Sequence, residues 1–216
     1  IRIGLFGGTF DPVHYGHLRI AEEAREALHL KKVLFIPSAI PPHKSQGGRP
    51  SAPHRLSMVR LAIRGNPWFA ASNYECKKNS PSYSIETVAH FLRIYKDSTE
   101  IAFIMGSDAF REITTWKDYM RLFSLCSMIV LTRPGSRLTG IEDFFPVEMR
   151  TQFRYDTESD TYTHLSGHSI YFRGMTFLDI SATDIRRRVR EGGSISYLVP
   201  PQVEKYIRTH RLYQDR

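Results

Sequence analysis

Short apolar and β-branched runs recur along the chain at about 1–6, 32–37, 69–75, 101–105, 127–132 and 170–173, and the stretches between them carry apolar residues at helical spacing. Leu18, Ala21, Ala24 and Leu28 mark one face of a first helix beginning near Tyr15. Leu56, Val59, Ala62 and Ile63 mark a second, and Ile85, Val88, Ala89 and Leu92 a third. Alternation between strand period and helix period predicts an α/β fold, a Rossmann-like, doubly wound, mostly parallel sheet with helices on both faces. Such a sheet binds its ligands at the carboxyl ends of the strands. A chain of 216 residues suits one domain spanning 1–216, with a C-terminal helical part over 181–213. The segment 137–169 mixes Phe144, Phe145, Phe153, Tyr155 and Tyr162 with acidic residues, matches neither period, and reads as an insertion or loop-rich segment.

The chemically suggestive residues gather after the predicted strands. The first strand runs into Gly7-Gly8-Thr9-Phe10-Asp11-Pro12-Val13-His14-Tyr15-Gly16-His17, a glycine turn joined to two histidines three residues apart. Glycines let a backbone approach phosphate closely, and the helix beginning near Tyr15 would turn its N–H groups and positive end toward the same anion. One helical turn separates His14 from His17, so both imidazoles are expected to reach a bound phosphate chain. Ser38 to Pro53 is rich in proline, glycine and polar residues and reads as a long loop of the kind that serves as a lid. Met105-Gly106-Ser107-Asp108 ends the fourth strand with a close-approach glycine and a carboxylate suited to a ribose hydroxyl, though an Asp there also caps a helix. Ser181 with Asp184 forms an S-x-x-D helix start, a second anion site whose first turn carries Arg186, while Arg187, Arg188 and Arg190 read as a solvated face.

Taken together, these residues resemble a known family. GGTFDPVHYGH is similar to the signature of nucleotidyltransferases with a His/Thr-x-Gly-His element. Ile40-Pro41-Pro42-His43-Lys44, Arg133-Pro134-Gly135 and Asp179-Ile180-Ser181-Ala182-Thr183-Asp184-Ile185-Arg186 narrow the resemblance to bacterial nicotinate-nucleotide adenylyltransferases, over Ile1 to about Tyr213. The resemblance implies adenylyl transfer from ATP to nicotinate mononucleotide by in-line attack of the acceptor 5′-phosphate on the α-phosphorus, with pyrophosphate leaving. It assigns His14, His17 and Arg186 to catalysis, and Gly7, Gly8, Thr9, Phe10, Gly106, Asp108, Ser181 and Thr183 to ATP. Lys44, Ser84, Trp116 and Arg133 go to the acceptor. Ser84 stands where the family usually has Thr in its Ser-Tyr-Thr segment, and Lys117 follows Trp116 where many relatives have a second aromatic. Backbone donors near Ser84 and Trp116, with Lys44 and Lys117 in sequence reach and Asp118 as the obvious nearby acid, imply preference for the nicotinate carboxylate over the amide.

Composition narrows the alternatives only slightly. A net charge of +8 and pI near 9.6 favour anionic partners, whether nucleotide, nucleic acid or acidic membrane. Scattered arginines make no aromatic-lined basic stripe, so nucleic acid is not expected as a partner. No apolar run approaches a membrane span, and no membrane partner is expected. Cys76 and Cys126 are distant in sequence and read as reduced packing residues of a cytoplasmic protein, consistent with a start that shows no signal-peptide pattern. No G-x-G-x-x-G or Walker A sequence is present. No residues show metal-ligand spacing, and magnesium is expected only as an ion carried with the ATP phosphates. A phosphopantetheine acceptor is the nearest rival; His14, where those relatives usually carry Thr, and the Pro-Pro-His-Lys loop count against it. Homo-oligomerisation stays open.

Overall fold

In a computed structural model, residues 1–39, 50–78, 80–95, 99–132, 140–176 and 178–214 are described. The chain runs β1 (Arg2–Gly8), α1 (Tyr15–Ala27), β2 (Lys32–Pro37), α2 (Ala52–Ala62), β3 (Phe69–Ala71), α3 (Ser84–Tyr95), β4 (Glu100–Gly106), α4 (Ser107–Arg111), α5 (Tyr119–Leu125) and β5 (Ser127–Thr132). It continues through α6 (Val147–Arg150), β6 (Phe153–Asp156), β7 (Thr161–His164), β8 (Ser169–Gly174), α7 (Ala182–Arg190) and α8 (Pro201–Thr209). The strands form one sheet in the order β3-β2-β1-β4-β5-β8-β7-β6. Every pairing from β3 to β8 is parallel, and β7 and β6 are antiparallel.

Parallel strands buried on both faces need apolar side chains in both directions. On β1, Ile3 and Leu5 point to one layer, with α3 (Ile85, Val88, Phe91) and α5 (Leu122, Phe123); Phe6 points to the other, with α1 (Ala21, Ala24), α2 (Met58, Val59), α7 (Ile185) and α8 (Val203, Ile207). On α3 the third buried apolar residue is Phe91, where the pattern favoured Leu92, which lies only at the margin of the layer. The chain leaves β1 for β2 on one side and returns as β4 on the other. This reversal opens a crevice between the carboxyl ends of β1 and β4.

Two elements differ from expectation. The third strand ends at Ala71 instead of reaching residue 75. Beyond Ala71 the Ser72 amide still donates to β2, at Phe35 O (2.9 Å), and the Ser72 hydroxyl then captures the Tyr74 amide (3.1 Å), starting a turn of 3₁₀ helix over Glu75–Lys77. The unassigned 137–169 segment contains a 3₁₀ turn, α6 and the β6–β7 hairpin, which extends the sheet edge by antiparallel pairing, Phe153 opposite His164 and Asp156 opposite Thr161. Arg154, Tyr155 and Asp156 are exposed, so this edge strand carries little apolar periodicity to read.

Candidate active site

A cleft of about 690 Å³ opens at the carboxyl ends of β1, β4, β5 and β8. Gly7, Gly8, Thr9 and Phe10 line it from β1, Gly106 and Asp108 from β4–α4, His17 from α1, and Thr183 and Arg186 from α7. Three stretches far apart in sequence thus converge, as the strand-end rule requires. Thr132, Met175 and Thr176 also line the wall and carried no motif. Only their position after a strand could have pointed to them.

The glycine turn is shaped by what lies beneath it. A Cβ on Gly8 would stand 2.9 Å from the Phe10 ring, so only glycine lets the backbone settle on that ring. Phe10 has φ +49 and is 2 % exposed; its ring packs edge-on to Phe6 (centroids 5.5 Å) and to His17 (5.1 Å). It therefore borders the cleft as a buried support under the turn. Arg55, 3 % exposed on α2, donates to Thr9 O (2.7 Å), Ala39 O (3.1 Å) and Pro50 O (3.3 Å), tying the turn to both stems of the proline-rich loop.

The two histidines take different positions. His17 Nδ1 accepts from the His14 backbone N–H at 3.2 Å, which leaves Nε2 as the protonated, donating nitrogen of its neutral ring. His14 lies behind it, 7 % exposed, the two rings 3.7 Å apart, and its Nδ1 has no hydrogen-bond partner. Burial lowers the His14 pKa to about 4, so the ring is neutral at pH 7. Of the two imidazoles, His17 lines the cleft and His14 does not. A Cβ on Gly16 would sit 3.0 Å from His14 Nδ1, so glycine here makes room for that ring. The start of α1 also offers fewer amides than expected: Tyr15 N–H donates to Leu198 O (3.1 Å), and those of His17 and Leu18 to His14 O (3.0 and 3.3 Å).

At α7, the Ser181 hydroxyl accepts from Asp184 N–H (3.0 Å), the capping role its pattern predicts, and its residue is exposed outside the lining of the cleft. The Asp184 carboxylate accepts from Arg187 (2.6 Å) and Arg188 (2.7 Å), which accordingly form a solvated face. Arg186 turns inward, donating to Asp11 O (2.7 Å) and Thr183 Oγ1 (3.1 Å).

The other candidates stand in the opposite layer. Ser84 opens α3, and half-buried Trp116 packs edge-on to Phe103 of β4 (centroids 6.2 Å). Lys117 lies 4.5 Å over the Tyr83 ring and donates to Glu86 (3.0 Å), which also accepts from Lys78 (2.9 Å). Glu86, one helical turn or less from Ser84, is the acid paired with Lys117, where sequence reach pointed to Asp118. Beneath this helix Glu75 is buried, accepts from Thr87 Oγ1 (2.6 Å), and has its carboxyl pKa raised by desolvation. Lys44 and Arg133, with the loop from Pro41 to Arg49, lie outside the described residues. Among the described residues, no three His, Cys, Asp or Glu side chains gather as metal ligands, and no helix is long and apolar enough to cross a membrane.

Comparison with known proteins identifies the family. Residues 5–188 match the family model described as cytidylyltransferase-like. The chain is 46 % identical over 215 residues to a protein of Geotalea daltonii and 45 % identical over 215 residues to one of Pelobacter propionicus, covering all of this chain and 99 % of each relative. Both carry the name probable nicotinate-nucleotide adenylyltransferase. Among solved structures, Plasmodium falciparum nicotinic acid mononucleotide adenylyltransferase complexed with NaAD superimposes with a TM-score of 0.70 at 17 % identity, over 98 % of this chain and 97 % of that one. The same enzyme complexed with APC gives 0.66 at 17 % identity, over 98 % and 96 %. At that identity the superposition speaks for the fold.

Proposed function

The chain belongs to the cytidylyltransferase-like family, among its nicotinate-nucleotide adenylyltransferases, and from that membership we propose how its own residues carry the reaction. The protein is an enzyme of NAD biosynthesis that transfers the adenylyl group of ATP to nicotinate mononucleotide, giving nicotinate adenine dinucleotide and pyrophosphate. The observation that carries the residue assignment is the convergence of Gly8, His17, Asp108, Thr183 and Arg186 on one cleft at the sheet's switch point.

ATP lies in that cleft, its phosphates against the Gly7–Phe10 turn and the first turn of α7, its ribose toward Asp108. The acceptor 5′-phosphate attacks the α-phosphorus in line with the departing pyrophosphate; being already anionic, it needs no base. Catalysis is therefore positioning and charge stabilisation. His17 Nε2–H and Arg186 donate to the oxygens where negative charge gathers. His14 keeps His17 oriented through its backbone N–H and its stacked ring.

Magnesium fits as an ion held by the triphosphate. Among the described residues the carboxylates lining the cleft are Asp11, engaged with Tyr213 and Arg186, and Asp108. When bound, the ion would offset phosphate charge. The nicotinate ring goes to the opposite layer, between Trp116 and the start of α3 at Ser84, and Lys44 and Arg133 are assigned the acceptor phosphate. Pyrophosphate release measured with ATP and a panel of acceptors tests the whole reading. Turnover with nicotinate mononucleotide above phosphopantetheine and other nucleotides is expected, and equal or greater turnover with phosphopantetheine would overturn it.

A further inference from the structure

Tyr213 lies near the end of the chain, beyond α8, yet it is 8 % exposed and its hydroxyl donates to Asp11 Oδ1 at 2.7 Å across 202 residues of sequence. Asp11 is 3 % exposed and belongs to the turn that follows Gly7–Phe10. The Asp11 backbone carbonyl accepts from Arg186 Nη1 at 2.7 Å, and Oδ2 of the same residue stands 3.7 Å from that nitrogen. Tyr213 thus grips a buried carboxylate from one side while that residue holds the cleft arginine from the other. The ring of Tyr213 packs in the same apolar layer as Phe10, Ile185 and Ile207.

We propose that Tyr213 is a positioning residue for adenylyl transfer: its hydroxyl fixes Asp11, and Asp11 fixes the direction in which Arg186 presents its remaining donors to the cleft. The inference rests on the reading of Arg186 as a phosphate-facing group. The neutral Tyr213 O–H and the Arg186 guanidinium are two of the groups that hold the Asp11 carboxylate, and they pull on it from different sides. Without the tyrosyl O–H, Asp11 turns toward Arg186 and draws it off the cleft. The C-terminal segment is thereby part of the active-site architecture as well as a cover for α1 and α2.

The test compares Tyr213→Phe, which keeps the ring and removes the O–H, in the wild-type and Arg186→Lys backgrounds, with Leu212→Ala as a packing control. Expected in the wild-type background is a loss of about tenfold in kcat with KM for nicotinate mononucleotide within about twofold, since the misaimed donor serves the reacting phosphate. In the Arg186→Lys background the same change should cost less than about twofold, because the group it positions is already gone. Leu212→Ala should lower the melting temperature without this background dependence. Wild-type kcat in Tyr213→Phe beside an impaired Arg186→Lys enzyme, or equal losses in both backgrounds, would overturn the inference. Full turnover in Arg186→Lys would bring down the reading of Arg186 and this one with it. If Tyr213→Phe does not fold, Asp11→Asn approaches from the other end: it keeps an acceptor for Tyr213 and removes the charge beside Arg186. The same kcat-selective loss and the same cancellation are then expected, and additive losses overturn the proposal.

Discussion

The two layers flanking β1 and β4 hold the two halves of the site in different ways. On the layer built from α1, α2, α7 and α8, three groups at the cleft are fastened to main chain or to a buried partner: His17 to the His14 amide (3.2 Å), Arg186 to the Asp11 carbonyl (2.7 Å), the glycine turn to Arg55 through Thr9 O (2.7 Å). On the layer built from α3 and α5, the groups near Ser84 and Trp116 are held by side chains, through Lys117 to Glu86 and Trp116 edge-on to Phe103. Donors with no freedom to reorganise are what charge developing in a transition state requires. A ring platform and solvated ion pairs suffice for recognising a substrate whose ring does not react. The contrast says where a substitution strikes turnover and where it strikes affinity.

The sharpest attack on that division is His17→Ala. The backbone-anchored imidazole is aimed at transition-state charge, so kcat should fall by about a hundredfold to a thousandfold, with circular dichroism unchanged. A folded variant turning over at the wild-type rate would deprive the rigid half of its chemical meaning.

The rigid half should also show itself in stability against pH. Burial holds the His14 pKa at about 4 against the ordinary 6.5, so the unfolded chain binds this proton more tightly than the folded protein. The neutral ring's contribution is complete above about pH 6.5 and is lost as pH falls toward 4, reaching about 2–3 kcal/mol near pH 4.5. Urea unfolding at pH 7 and pH 4.5 should show the wild type losing that much more than His14→Gln. Equal losses would mean that His14 is not buried as a neutral ring.

These two regions also differ in how far the sequence discloses them. The mostly parallel α/β sheet and a crevice at its strand ends could be read because strands and helices repeat two clear periods, and because Gly8 and Gly106 stand where backbone approaches a ligand. Arg186 was separable from Arg187 and Arg188 through its place in the motif. What distinguishes His14 from His17 was not legible, since both lie on one turn and only the packing of Phe10 and Gly16 decides which ring reaches the cleft. Tyr213 was equally silent, because its partner is 202 residues away. The Glu86–Lys117 pair was missed because proximity in sequence drew attention to Asp118, whereas the fold brings α3 beside the loop before α5.

On the side-chain-held half, Trp116→Ala should raise KM for nicotinate mononucleotide about tenfold, the worth of one aromatic contact, while kcat and KM for ATP stay within about twofold. A kcat loss as large as that of His17→Ala would erase the difference between the layers.

The smallest effect is expected at Lys117. Preference for nicotinate over nicotinamide mononucleotide should be tenfold to a hundredfold in kcat/KM, because an amide N–H₂ facing a donor leaves that donor unpaired at a cost of about 1–3 kcal/mol. Lys117 lies in sequence reach of this pocket, but its ammonium is exposed, bonded to Glu86 and seated on the Tyr83 ring. A solvated charge already neutralised by a carboxylate adds little to the field at a neighbouring anion. Lys117→Gln should therefore change the acid-to-amide ratio by less than about threefold, with Lys78 still pairing Glu86. The ratio of kcat/KM values in competition between the two mononucleotides measures it. A collapse of the ratio toward one would move the source of selectivity from the start of α3 to Lys117, and would show that even an exposed ion pair on this layer is aimed at the substrate.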